Sequence, residues 1–226
     1  MTRTLPQRSA PALLSIVLST LVIAGCAGPT PEATPAADST PTAAAEATPT
    51  PTPEPAPPAR VTVAAKSLTV TDTDGVVVLN LAYSIDPDVA ITQLSEARGE
   101  TPTALVEASS ACSVETTVSS WGGMHLLDPA SFAAGPGATF LIRVDGASTA
   151  AGVPIVAGAG FAVGDALATV VALPGVSTVD YGDWVSIYSE LQGASFDAPE
   201  AWGVSSFARG GAVERISAPA YFNYDC

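Results

Sequence analysis

The sequence predicts an α+β domain, mainly antiparallel β-sheet with two short helices, preceded by a disordered linker. Three observations predict it. Asp72-Thr73-Asp74-Gly75 lies between two β-branched runs, which is a strong hairpin signal. Asp86-Pro87-Asp88 has the form of a helix start, and Gly99 that of its stop. From Trp184 onward, short apolar runs recur between turn residues, as antiparallel strands do. An all-β sandwich is the alternative reading.

The chain divides into stretches 1–25, 26–59 and 60–226. The first carries Arg3 and Arg8, no acid, and an apolar run from Ala12 to Ile23. That run is short for a bilayer span and has the layout of a signal-peptide core, with an uncleaved anchor as the alternative. It ends in Leu21-Val22-Ile23-Ala24-Gly25-Cys26. These residues resemble the lipobox of bacterial lipoproteins, in which the cysteine is lipidated and becomes the first mature residue. Ile23, Ala24 and Gly25 match the three positions before it, and Cys26 matches the invariant one. The resemblance implies a leader removed by signal peptidase II and acyl chains, palmitate among them, on Cys26. It also implies a protein held on the extracellular face of the cell membrane. Several acyl contacts together give stable anchoring.

Residues 27–59 are mostly Pro, Thr, Ala and Glu, without an aromatic residue, Leu, Ile or Val. They hold ten of the twenty prolines. Such a composition has nothing to offset the entropy of ordering. Thr48-Pro49-Thr50-Pro51-Thr52-Pro53 favours an extended polyproline conformation. At about 3.1 Å per residue the spacer reaches on the order of 100 Å, enough to lift a domain through a cell wall.

From Arg60 the composition changes to that of one domain of ordinary size. Strands are expected over Val61–Thr71 and Val76–Tyr83. The acids between them do not make a calcium loop. An EF-hand needs a further acid before them and a closing glutamate, and Val70 and Leu81 occupy those positions. Asp86 caps a helix whose apolar stripe is Ala90, Ile91, Leu94 and Ala97, and Pro102 keeps it from resuming. Further strands are expected over Thr103–Ala108, Ser113–Trp121 and Thr139–Asp145, the last with Phe140, Ile142 and Val144 on one face. Asp165 is expected to open a second helix with Leu167, Val170 and Val171 on one side, ended by Pro174-Gly175. Strands over Trp184–Leu191, Trp202–Phe207 and Val213–Ser217 follow. The two halves share this plan, which suggests a diverged duplication. Gly160–Asp165, the Val170 helix and Pro174-Gly175 together resemble the strand-turn-helix openings of small exported α/β modules, including β-lactamase-inhibitor-like domains. The resemblance covers fewer than about twenty residues.

The formal charge is −14, and loss of Arg3 and Arg8 with the leader takes it to −16. Lys66 is the one lysine. This balance excludes nucleic acid, whose phosphates need clustered cations, and electrostatic docking on anionic lipid. Acidic charge keeps an exported domain soluble. With Cys26 lipidated, Cys112 and Cys226 remain as an even pair in an oxidising compartment, and a disulfide is expected; two free thiols are the alternative. In the chain-entropy model a loop of that length is worth about 4–5 kcal/mol.

Four constellations bear on chemistry. Gly158-Ala159-Gly160, then Gly164, with Asp180 about twenty residues after the glycines, resembles the dinucleotide-binding fingerprint. Its spacing is GxGxxxG, however, and Asp165 to Pro174 leaves a helix too short for a crossover, so a glycine-rich turn is expected and no cofactor. His125 is the only histidine. A triad with Asp128 lacks a G-x-S-x-G elbow, a two-histidine zinc site is impossible, and Cys112 has no nearby cysteine, so a structural histidine and no metal are expected. Lys66 has no glycine loop before it and is not a Walker lysine. Trp121, Tyr181, Trp184, Tyr188, Trp202, Tyr221 and Tyr224, with Asp183 and Asp225, are the candidates for a sugar- or protein-binding face. The expected function is a non-enzymatic binding or interaction module in the envelope, partnered by a protein or glycan. The alternatives are an exported hydrolase using two carboxylates and a passive structural lipoprotein.

Overall fold

The computed structural model describes residues 56–110, 113–130, 137–193, 195, 198 and 200–222. The leader, Cys26, the stalk up to residue 55, and Cys112, Tyr224, Asp225 and Cys226 lie outside the described residues.

The expected run Val61–Thr71 is two strands, β1 (Pro58–Val63) and β2 (Ser67–Asp72), because the chain reverses where Ala64 N donates to Ser67 O at 3.0 Å. The hairpin predicted next is present: β2 pairs with β3 (Val77–Ala82). Its acids are used internally, since Asp72 Oδ1 accepts from Asp74 N at 2.9 Å and Val76 N at 2.8 Å. Helix α1 (Pro87–Arg98) starts and stops as its caps require. Asp86 accepts from Asp88 N and Val89 N, and Gly99 closes the helix at φ 63°, a left-handed conformation that glycine adopts without a Cβ penalty. Ala90 and Leu94 are buried, but the last turn buries Arg98 rather than Ala97.

Strands β4 (Thr103–Glu107), β5 (Thr116–Trp121), β6 (Met124–Pro129) and β7 (Leu141–Val144) follow. β6 was not foreseen; it turns straight back from β5 at Gly122-Gly123 and carries His125. After β8 (Ile155–Ala157), helix α2 is a single turn, Leu167–Val170, with Ala166 at its N-cap position. Asp165 therefore does not cap it; its carboxylate takes Ala162 N at 2.8 Å instead. Only Val170 is buried, and Val171 is exposed. An acid-capped helix thus does not recur in the second half. Strands β9 (Ser177–Asp180), β10 (Val185–Gln192), β11 (Trp202–Arg209) and β12 (Ala212–Tyr221) complete the chain.

The fold is mainly antiparallel β with two short helices, in two open sheets. One has the order β3-β2-β1-β8 and the other β4-β5-β6-β7-β12-β11-β10-β9. Every pair is antiparallel except β1 with β8, where Val61, Thr62 and Val63 run parallel to Ile155, Val156 and Ala157. Side chains alternate across a strand, so each sheet offers one apolar face. Val61, Val63, Leu68, Val70, Leu81 and Ile155 of the smaller sheet join Leu126, Ile142, Val144, Ile187, Val204 and Ile216 of the larger in one buried cluster, together with Ala90 and Leu94 of α1. Phe140, Ile142 and Val144 do share the buried face, as their spacing predicted.

Candidate functional site

One face of the eight-stranded sheet is committed to that cluster; on the other, Thr116, Val118, Ser186 and Tyr188 are buried while Ser120, His125, Arg143, Ser205 and Ser217 are half-buried. One row crosses this other face from edge to edge: Thr103, Ser120, His125, Arg143, Ser217, Ser205, Tyr188 and Ser177, each opposite the next in register. At about 4.8 Å between strands the row spans about 34 Å. Every member carries a hydroxyl, imidazole or guanidinium group.

The aromatic end of this face lies on β9–β11 and the turn before β10. Tyr181 and Trp184 stack with centroids 4.3 Å apart and planes at 14°. Trp184 meets Phe207 edge-on at 6.4 Å, and the Arg215 guanidinium lies 5.1 Å over the Phe207 ring. Tyr181 is 54% exposed. Tyr188 is buried behind this group against Phe222 and Ala201. Burial pushes its hydroxyl pKa up; Ser186 opposes that and Tyr181 adds to it.

Of the seven rings expected to form one face, Tyr224 lies outside the described residues, Tyr221 sits half-buried beside Trp202 at the end of β12, and the other five separate. Tyr181 and Trp184 meet on the outer face with Tyr188 behind them. Trp121 is 1% exposed and belongs to the buried core cluster with Met124 and Leu126. Its Nε1 donates to Glu100 O at 3.3 Å, and the Arg98 guanidinium lies 5.5 Å over its ring. Arg98 Nη2 pairs with Glu100 Oε2 at 2.6 Å, while Glu100 Oε1 accepts from Thr149 Oγ1 and Ala151 N at 3.0 Å each. Burial lowers the Arg98 pKa, and Glu100 works against that. Trp202 also points away from the outer face and walls a separate cavity.

His125 is satisfied on both nitrogens: Nδ1 meets Ser120 Oγ at 2.8 Å and Nε2 meets Asp145 Oδ1 at 2.9 Å. Its acidic partner is Asp145, not Asp128. Asp128 instead has its pKa raised by partial burial and by Asp88 and Asp86. The serine–histidine–aspartate line lies on a sheet face, and neither of the two cavities described here is lined by any of the three. Beside it Arg143 Nη2 reaches Glu107 Oε1 at 3.1 Å.

Sequence reasoning missed Glu190. It takes φ 53°, a conformation that side-chain-bearing residues rarely adopt. Its carboxylate crosses to the smaller sheet, where Oε2 accepts from Ala65 N at 2.8 Å. Oε1 is buried without a partner and lies over Gly158, where a Cβ would stand 1.8 Å from it. Tyr83 donates to Ala64 O at 2.9 Å; burial and then the Glu190 charge push its hydroxyl far above the ordinary range. The use of Gly158 is therefore steric. The nucleotide reading fails on topology as well, since β8 belongs to the smaller sheet and β9 pairs antiparallel with β10 in the larger.

Two cavities among the described residues bear on function. One, of about 130 Å³, opens beside Lys66, Tyr83, Ser84, Ala138, Trp202 and Pro219. The other is a wide hollow between Ala56–Pro58 and Glu96–Gly99. Neither is lined by two carboxylates. Among the described residues no group of three or more His, Cys, Asp or Glu is placed to hold a metal ion, and no helix is long and apolar enough to cross a membrane.

Gly158→Ala should displace the Glu190 carboxylate from Ala65 N and cost about 1.5–3 kcal/mol, the range for hydrogen bonds to charged groups. In chemical denaturation that cost should shrink when Glu190→Ala is already present; an unchanged cost would mean that the two positions are independent.

No protein-family model, curated protein or solved structure matches this chain.

Proposed function

We propose that this chain is a lipid-anchored binding module that takes a wall glycan along the outer face of its eight-stranded sheet. The observation that carries the reading is the row of hydroxyl, imidazole and guanidinium groups across this face, together with the exposed Tyr181 ring at its aromatic end. A sugar ring has an apolar C–H face and a polar rim. Tyr181, backed by Trp184, offers one open ring face for stacking. Asp183, Glu214 and Arg215 are exposed nearby in sequence or register and offer hydrogen-bond partners for hydroxyls. A row of this length suits an extended polymer better than a compact metabolite.

The anchor in this reading is Cys26, with the Pro/Thr stretch as spacer. Cys112 and Cys226 are read as a disulfide that ties the end of the chain to the domain. The chain acts by holding and positioning, and chemistry on the ligand is not part of the proposal.

Cys26→Ala should move the protein from membrane to soluble fractions, and full membrane retention would refute the anchor. For the glycan reading, the detergent-solubilised full chain is mixed with insoluble wall polysaccharide. Tyr181→Ala should weaken co-sedimentation about ten-fold or more, while Tyr181→Phe keeps it. Undiminished binding by Tyr181→Ala would remove the aromatic end from the site.

A further inference from the structure

The cavity beside Trp202 lies apart from the outer face, and we infer that it binds a small organic acid, a carboxylate carried on a compact apolar body. Its volume of about 130 Å³ is close to that of cavities that hold a benzene-sized group. Trp202, Pro219 and Ala138 make apolar walls. Its lining also includes two exposed residues with hydrogen-bond donors, Lys66 and Ser84.

The β2–β3 ladder ends at the Ser67–Ala82 pair, and Lys66 and Ser84 both lie just past that end, where the cavity opens. Lys66 makes no ion pair among the described residues. It is also the one lysine of a chain with formal charge −14, so its charge is not matched by a neighbour of its own kind. An ammonium and a hydroxyl are both donors and suit a carboxylate. No acid is part of the lining, so a cationic ligand would find no counter-charge there. Glu190 is not in the lining; it reaches the wall residue Ala65 at its backbone N, and its other oxygen lies over Gly158. The carboxylate can come from a free acid or from the C-terminus of a peptide ending in a small residue.

Ligand-observed NMR on the detergent-solubilised full chain tests this, with benzoate, benzamide, N-acetylalanine and N-acetylalaninamide as probes. At least one acid should bind saturably with a dissociation constant on the order of 1 mM, given so few ligand atoms. The matching amide should bind about ten-fold more weakly or not at all, which is what loss of one charge-assisted contact gives. Benzoate alone binding would assign a free aromatic acid, and N-acetylalanine alone a peptide end. Lys66→Gln, an exposed change that should leave thermal unfolding unaltered, should abolish the signal, and Trp202→Ala should do the same. Tyr181→Ala should leave it unchanged, which separates this site from the outer face. The inference is overturned if neither acid saturates, if an amide binds as tightly as its acid, or if Lys66→Gln binds as the parent does.

Discussion

The constraint on which this structure depends is the commitment of one face of the eight-stranded sheet to a core shared with the smaller sheet. Leu126, Ile142, Val144, Ile187, Val204 and Ile216 point inward because strand side chains alternate, and the smaller sheet answers with Val61, Val63, Leu68, Val70 and Ile155. A fully buried aliphatic side chain of this size contributes about 1.5–3 kcal/mol relative to leaving it in water. A register slip of one residue would turn every one of these outward, so the register is strongly specified. The same alternation delivers Ser120, His125, Arg143, Ser217 and Ser205 to the opposite face in one line. Core and candidate site are thus two consequences of one periodicity.

Polar contacts fasten the elements that this core brings together. Arg98 and Glu100 join the end of α1 to the 149–151 loop under Trp121. Glu190 joins β10 to the turn between β1 and β2, at the cost of a left-handed backbone and one buried oxygen without a partner. Removing one member of such a pair leaves an uncompensated buried group, which costs more than breaking a surface ion pair. On the outer face, His125 is held between Ser120 and Asp145, and Arg143 reaches Glu107 of β4.

Much of the fold was legible because local signals agreed with tertiary structure. Asp72–Gly75 made its hairpin, Asp86 and Gly99 bounded their helix, and the strands from Trp184 onward lie close to their expected places. What stayed hidden depends on pairing. β6 begins within two residues of β5, so no break in composition marks it. β8 joins β1 in parallel across nearly a hundred residues of chain, beyond the reach of any window. The site was half legible for the same reason. Aromatic residues could be picked out, but their faces needed the register: Trp184 and Tyr181 look outward, Trp121 and Trp202 inward. Asp165 looked like a cap and is instead the partner of Ala162. Glu190 carried no signal at all, since its strain and its bond to Ala65 join residues 125 apart.

The account places recognition on the solvent-facing side of the larger sheet and structure on its other side. Hydroxyl-radical footprinting with and without wall polysaccharide measures this directly, ring by ring. The account predicts that oxidation of Tyr181 and Trp184 falls when polysaccharide is present, while Trp121 stays unreactive in both states. Equal oxidation of Tyr181 with and without polysaccharide, or protection confined to the smaller sheet, would contradict it.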